Sequence, residues 1–261
     1  MKNIFAAVMI ALIVFSCEFT KEIDYHTIFD KEKLIVQGFI SPQDGVRVIV
    51  KKTLAPNNVN GNDKLTNATV FLYEDNRQIA VLKREDDYLF VSDESFSAEQ
   101  GKSYSLRVTA DGLNEVRSAP QLIEPATPID SFKFTTFEYN YMQLVVFFTV
   151  HHPANNGYFL KIDDESEEFF YPYSKIENIV TGFNAVEKRL GSINFDFIEA
   201  ELFVLSPDLS LFLDSQMKYE SSKDDPFFDR PYPVFSNING GYGIFGAYSV
   251  YRERIYQEIG D

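Results

Sequence analysis

From about Lys33 the chain is written in short runs whose apolar residues recur at every second position, the period that puts one strand face on a core and the other in water. Val46, Val48 and Val50 alternate with Arg47 and Lys51, and only Ile49 breaks the strict polarity. Tyr104, Leu106 and Val108 alternate in the same way with Ser103, Ser105, Arg107 and Thr109. Between these lie residues 67–73, a turn at 74–76, then 78–82 and 88–91, so residues 31–124 read as one immunoglobulin-like or fibronectin-like β-sandwich. Pro120, Pro125 and Pro128 interrupt any ladder and mark the boundary to a second module over 128–256. There the clearest strands are 131–135, 143–150, 157–162 and 200–205. Leu144 to Phe148 is apolar at every position, as in a strand covered on both sides.

One segment carries a different period. Ser206 is an N-cap residue, Pro207 fits the first helical position and Asp208 suits the positive end of the helix. A helix over 207–219 follows, with Leu209, Phe212, Leu213 and Met217 on one face against the second sheet. The expected class is therefore all-β: two immunoglobulin/fibronectin-like β-sandwich modules with one helix inserted in the second.

The N-terminus breaks the alternation altogether. Lys2 is followed by an uncharged apolar run from Ile4 to Phe15, then Ser16 and Cys17, the chain's single cysteine. The run falls short of the roughly 20 residues of a spanning helix and has the form of a signal peptide over 1–16. Val14-Phe15-Ser16-Cys17 resembles a bacterial lipobox, with Phe15 larger than is usual, so Cys17 is the expected lipid-attachment residue. An ordinary secreted protein cut near Ser16, with a free thiol, and a short buried apolar helix are the other readings. More than one acyl chain is needed for stable attachment, which a lipobox cysteine supplies. Residues 17–30, with Glu18, Glu22 and Asp24, form an acidic tether interrupted by Lys21.

Composition supports the β reading and narrows the partners. Phe 25 and Tyr 15 suit half-buried sheet surfaces. A formal net charge of -15 argues against nucleic acid, which requires a basic patch. A lone cysteine excludes an internal disulfide framework.

Gly241, Gly243 and Gly246 formally match the G-x-G-x-x-G of dinucleotide sites, but that motif works between a strand and a helix N-terminus. Here turn-like residues 237–241 precede it and strand-like residues 247–251 follow it. The glycines therefore predict a tight loop or bulge that lets Ile244 and Phe245 tuck inward. His151 and His152 are adjacent, so on a strand they point to opposite faces and do not share a metal. The acidic run at 163–168 lacks the spacing of a calcium loop. No metal and no cofactor are expected. G-x-S-x-G, H-E-x-x-H, P-loop and Cys/His nucleophile patterns do not occur, so the chain is read as not an enzyme, although a pair of carboxylates brought together only by folding stays open.

Several segments resemble a known family of Bacteroidetes lipoproteins catalogued as domain of unknown function 4249. They are Cys17-Glu18 with Lys21-Glu-Ile-Asp24, Lys33-Leu-Ile-Val-Gln-Gly-Phe-Ile40, Asn67-Ala-Thr-Val-Phe-Leu-Tyr-Glu74 and Gly101-Lys-Ser-Tyr-Ser-Leu-Arg-Val108. Leu205-Ser-Pro-Asp208 and, most specific, Pro233-Val-Phe-Ser-Asn-Ile-Asn-Gly-Gly-Tyr-Gly-Ile-Phe-Gly-Ala-Tyr-Ser249 complete the set. The resemblance implies an outer-membrane, lipid-anchored protein of a kind often associated with a TonB-dependent receptor, and the acidic tether resembles the signal by which some Bacteroidetes lipoproteins reach the cell surface. The expected role is a non-catalytic binding or accessory subunit in nutrient uptake, with a structural scaffold or a surface hydrolase as the alternatives. Candidate partner-contact residues are Asn57, Asn58 and Asn60 in a polar loop, and Asn237, Gly240, Gly241, Gly243, Phe245 and Gly246 in the glycine segment.

Overall fold

The computed structural model describes residues 32–54, 62–136, 142–151, 157–162, 175–176, 178–190, 197–224 and 231–256. The protein is mostly β, with one helix among the described residues. Its first strands are β1 (Leu34–Ser41), β2 (Gly45–Lys52), β3 (Thr69–Glu74), β4 (Arg77–Val81), β5 (Lys83–Arg84), β6 (Leu89–Val91), β7 (Ser103–Thr109), β8 (Val116–Ser118) and β9 (Gln121–Leu122). β10 (Ile129–Thr136), β11 (Met142–Val150), β12 (Gly157–Ile162), β13 (Lys175–Ile176), β14 (Gly182–Leu190) and β15 (Phe197–Leu205) follow. Helix α1 (Pro207–Ser222), β16 (Ile238–Asn239) and β17 (Tyr242–Tyr256) complete the order.

The expected turn after Glu74 is a two-residue connection in which Asp75 and Asn76 both have positive φ, 46° and 68°. That backbone hand matches the twist of the β3–β4 hairpin, and Asp and Asn tolerate it better than most residues. The strands assemble into an eight-stranded sheet in the order β13-β12-β15-β17-β1-β2-β6-β5, a six-stranded sheet β16-β8-β7-β3-β4 with β9 beside β7, and a three-stranded sheet β10-β11-β14.

Two cores lie between these sheets. In the first, Val36, Ile40, Val48 and Phe90 of the large sheet face Val70, Leu72, Leu106 and Val108 of the six-stranded sheet. In the second, Leu144, Val146 and Phe148 of β11 face Leu160, Ala200 and Leu202. β17 belongs to both: Phe245 and Ala247 lie in the first core, and Ile255 lies in the second. Its first six residues pair parallel with β1, from Tyr242 opposite Ile35 to Ala247 opposite Ile40. From Tyr248 onward it pairs antiparallel with β15. One fifteen-residue strand thus carries the large sheet from one core into the other.

α1 packs on the opposite side of that sheet, where Leu209, Phe212 and Leu213 meet Phe159, Phe203, Ile244 and Tyr248. It begins where the sequence places it and runs three residues past Tyr219, while Met217 is only half-buried. Ser206 occupies the N-cap position but makes no side-chain cap. β11 departs from expectation on one side: Leu144, Val146 and Phe148 are fully buried, whereas Val145 and Phe147 on its other face are half-exposed. Phe147 there stacks on Phe183 with ring centroids 5.4 Å apart.

Candidate functional site

The glycine segment is a strand in the structure, with a loop only at its entrance. Gly240 turns the chain at φ 85°, and Gly243 sits inside β17 at φ 113°. A Cβ on Gly243 would lie 1.9 Å from the Val36 carbonyl oxygen, so no side chain fits while β1 and β17 pair at this register. A Cβ on Gly246 would come within 2.7 Å of the Leu209 side chain, which lets α1 sit close against the sheet. Ile244 and Phe245 are both fully buried, on opposite faces, as the inward-tucking reading expects.

Asn237 fastens this strand. Its Nδ2 donates to the Phe245 carbonyl at 2.9 Å and to Asp208 Oδ2 at 2.9 Å, while its Oδ1 accepts from the Phe245 N–H at 2.9 Å. Asp208 Oδ2 also accepts from Gln121 Nε2 at 2.8 Å. Gln121 Oε1 in turn accepts from Ser206 Oγ at 2.7 Å, and Ser206 Oγ accepts from the Ala247 N–H at 3.1 Å. This chain of bonds ties the end of the first core, the start of α1 and β17 into one node, with Ser206 and Gln121 almost wholly buried. It explains why Ser206 does not cap: its hydroxyl is engaged elsewhere. Satisfied buried networks of this kind specify one arrangement of the elements they join.

The contact role expected of this segment narrows accordingly. Phe245 has no exposed surface, Gly246 lies beneath Leu209, and Asn237 is held by the node. Gly240, Gly241 and Tyr242 remain at the surface, with Lys33 Nζ 5.0 Å above the Tyr242 ring. Asn57, Asn58, Asn60 and Cys17 lie outside the described residues, as do His152 and the acidic run at 163–168. His151 is exposed at the end of β11. Among the described residues no group of three His, Cys, Asp or Glu side chains is placed to hold a metal ion. No helix among them is long and apolar enough to cross a membrane.

A cleft of about 850 Å³ opens on the large sheet, on the face that also carries α1. Its floor and walls come from alternate positions of five strands: Gln37 and Phe39 of β1, Arg47, Ile49 and Lys51 of β2, Lys161 of β12, Glu201 and Phe203 of β15, and Tyr248 and Arg252 of β17. Asp44 in the β1–β2 turn closes one side, and Asp86, Tyr88 and Leu89 close another. The cleft therefore spans strands of both cores.

Most of its charges are tied to one another. Arg252 Nε donates to Glu201 Oε1 at 2.5 Å, and its Nη2 lies 3.6 Å from Asp44 Oδ1. Lys161 Nζ is 3.9 Å from Glu201 Oε2. Tyr248, 2% exposed, donates its hydroxyl to Asp44 Oδ2 at 2.8 Å. Burial drives the pKa of that phenol upward, so Tyr248 remains a donor at neutral pH. Lys51 Nζ sits 4.7 Å above the Tyr88 ring and 3.9 Å from Asp63 Oδ2. The Asp86 carboxylate accepts the N–H groups of Tyr88 and Leu89, each at 2.7 Å, which lowers its pKa and shapes the wall.

Arg47 alone among the lining cations has no hydrogen-bond or ion-pair partner among the described residues. The lining holds four cations and three carboxylates, in a chain whose net charge is -15. Aromatic and aliphatic floor, an amide and a free guanidinium form the mixture that small-molecule sites use: apolar area for affinity and a few polar groups for orientation. Sequence reasoning did not find this cleft, because its residues occupy the positions that alternation assigns to solvent. Ile49, the apolar side chain that breaks the alternation of β2, was a signal of it.

A family profile described as Domain of unknown function (DUF4249) matches residues 17–254. No curated protein matches the chain. With nearly its whole length matched, the chain belongs to that family.

Proposed function

We propose that this DUF4249 protein is a lipid-anchored, non-catalytic binding subunit of the bacterial cell envelope, held at the outer membrane through Cys17 and serving a TonB-dependent transporter in nutrient uptake. The observation that carries the binding role is the cleft on the large sheet, whose volume of about 850 Å³ lies in the range of small-ligand sites. For the anchor, support comes from the apolar run that ends at Cys17 and from a family match that opens at that residue. On this reading the two cores are two immunoglobulin/fibronectin-like sandwiches that share β17, and the cleft is the surface offered to ligand between them.

The test is affinity purification of the tagged protein in mild detergent, with mass spectrometry of its partners and of its N-terminal peptide. A TonB-dependent receptor in stoichiometric amount, together with an acylated Cys17, is the expected result. Recovery of other envelope subunits without a receptor contradicts the transport role. Cys17→Ala is expected to move the protein from the membrane pellet to the soluble fraction, and membrane retention of the unacylated variant contradicts the anchor.

A second reading, a structural subunit of an envelope complex, draws on the outer face of the three-stranded sheet. There Phe183 is 63% exposed beside Phe147, an apolar surface of the kind that docks against another protein.

A further inference from the structure

We infer that the cleft takes an amphipathic oxyanion, a ligand with a carboxylate or phosphate head held by Arg47 and an apolar or ring-shaped body laid over Phe39, Ile49 and Phe203. The inference rests on the reading of the cleft as a binding site and adds the class of ligand.

Charge is the first ground. The protein as a whole repels anions, at a net -15, yet the cleft lining carries more cations than carboxylates. The carboxylates in it are also engaged. Glu201 is shared by Arg252 and Lys161, Asp44 by Tyr248 and Arg252, and Asp86 by two backbone N–H groups. What stays uncompensated among the described residues is the Arg47 guanidinium, with five N–H donors in a planar fork that matches an oxyanion.

Position is the second ground. On the β1–β2 ladder Arg47 stands directly opposite Phe39, and Ile49 directly opposite Gln37. Opposed side chains in an antiparallel pair are about 5 Å apart at Cβ, so a head group on Arg47 places the atoms behind it against Phe39 and Ile49. Ile49 is 38% exposed, an apolar side chain at an outward strand position, and Gln37 beside it supplies an amide at the body's edge. Farther in, Phe203 and Tyr248 have ring centroids 5.8 Å apart and extend the apolar floor towards α1. Head and body sites are thus one side chain apart on one sheet face.

The test uses a matched pair of fluorescent probes on the folded protein: 1-anilinonaphthalene-8-sulfonate, an aromatic oxyanion, and N-phenyl-1-naphthylamine, the same rings without the charge. Arg47→Gln is expected to weaken the sulfonate about tenfold or more, the scale of losing a charge-assisted bidentate contact, and to leave the amine unchanged. Arg47→Lys, which keeps the charge and loses the fork, should fall between. Ile49→Trp, which fills the floor, should exclude both probes. Competition by 1-naphthoate against 1-naphthyl phosphate then assigns the head group to carboxylate or phosphate, while 1-naphthol should compete weakly. If Ile49→Trp excludes both probes but Arg47→Gln changes neither, the oxyanion assignment is overturned and the binding cleft stands. If Ile49→Trp excludes neither probe, the cleft is not the binding surface and both readings fall.

Discussion

The glycine-rich opening of β17 and the cleft beside it belong to the same sheet and use their residues in opposite ways. Around Gly243 every unusual residue is consumed by packing: the glycine admits the Val36 carbonyl, Asn237 clasps the Phe245 peptide, and Asp208, Gln121 and Ser206 satisfy one another. In the cleft the residues are ordinary alternating strand positions, and one of them, Arg47, has bonding capacity that no described residue takes up. A motif that stands out in sequence can be structural, while a surface able to bind is written in the half of each strand that pattern analysis discards as solvent-facing.

The contrast is broken most severely at Gly243. Gly243→Val would set a side chain against the Val36 backbone in a conformation closed to β-branched residues, and should cost about 4 kcal/mol or more, seen as collapse of the urea midpoint or loss of soluble protein. Asn237→Ala should follow, at about 2 to 4 kcal/mol by the same measurement, because it strands the Phe245 N–H and carbonyl and removes a donor from Asp208. Under the cleft floor, Tyr248→Phe removes the hydroxyl that bonds Asp44, a carboxylate that solvent reaches, so about 1 kcal/mol is expected. Arg47→Gln should change stability by less than about 0.5 kcal/mol while altering probe affinity, which separates the two regions in one pair of experiments.

A pH-dependent effect is expected from the buried phenols. Burial pushes Tyr104, in the first core, up to about 12 from an ordinary 10.0, and Tyr248 is raised as well. A raised tyrosine keeps its proton longer in the folded state than in the unfolded one, so its contribution is complete below pH 10 and is lost as pH rises towards 12. Stability should fall across that window. Tyr104→Phe should make the fall shallower, measured as the urea midpoint at a series of alkaline pH values.

Much of the architecture was legible from alternation. The alternation of β2, the β3–β4 hairpin, β7, β11, β12 and the start of α1 follow from period and turn chemistry that act over a few residues. The route of the large sheet was not legible, because the parallel pairing of β17 with β1 joins residues about two hundred positions apart and leaves no local mark. The glycine segment was read as a tight loop or bulge because turn-like residues precede it and glycine opens unusual backbone angles, whereas the close approach of β1 and β17 uses that freedom inside a strand. Of the candidate contact residues, Phe245 was drawn inward by the same pairing, and Gly240 and Gly241 stayed at the surface. Arg47 and Lys51 were visible only as polar spacers; that they share a face with Lys161 and Arg252 depends on β17 lying between β15 and β1 and joining them in one sheet.

The join made by β17 is tested most directly by hydrogen exchange with mass spectrometry in rising, sub-denaturing urea, following peptides from β1 and from β15. Both strands pair with β17, so their amides should open with the same free energy and the same urea dependence, as parts of one cooperative unit. Separate opening, with one peptide exchanging fully while the other stays protected, would show two independent cores and contradict a cleft built across them.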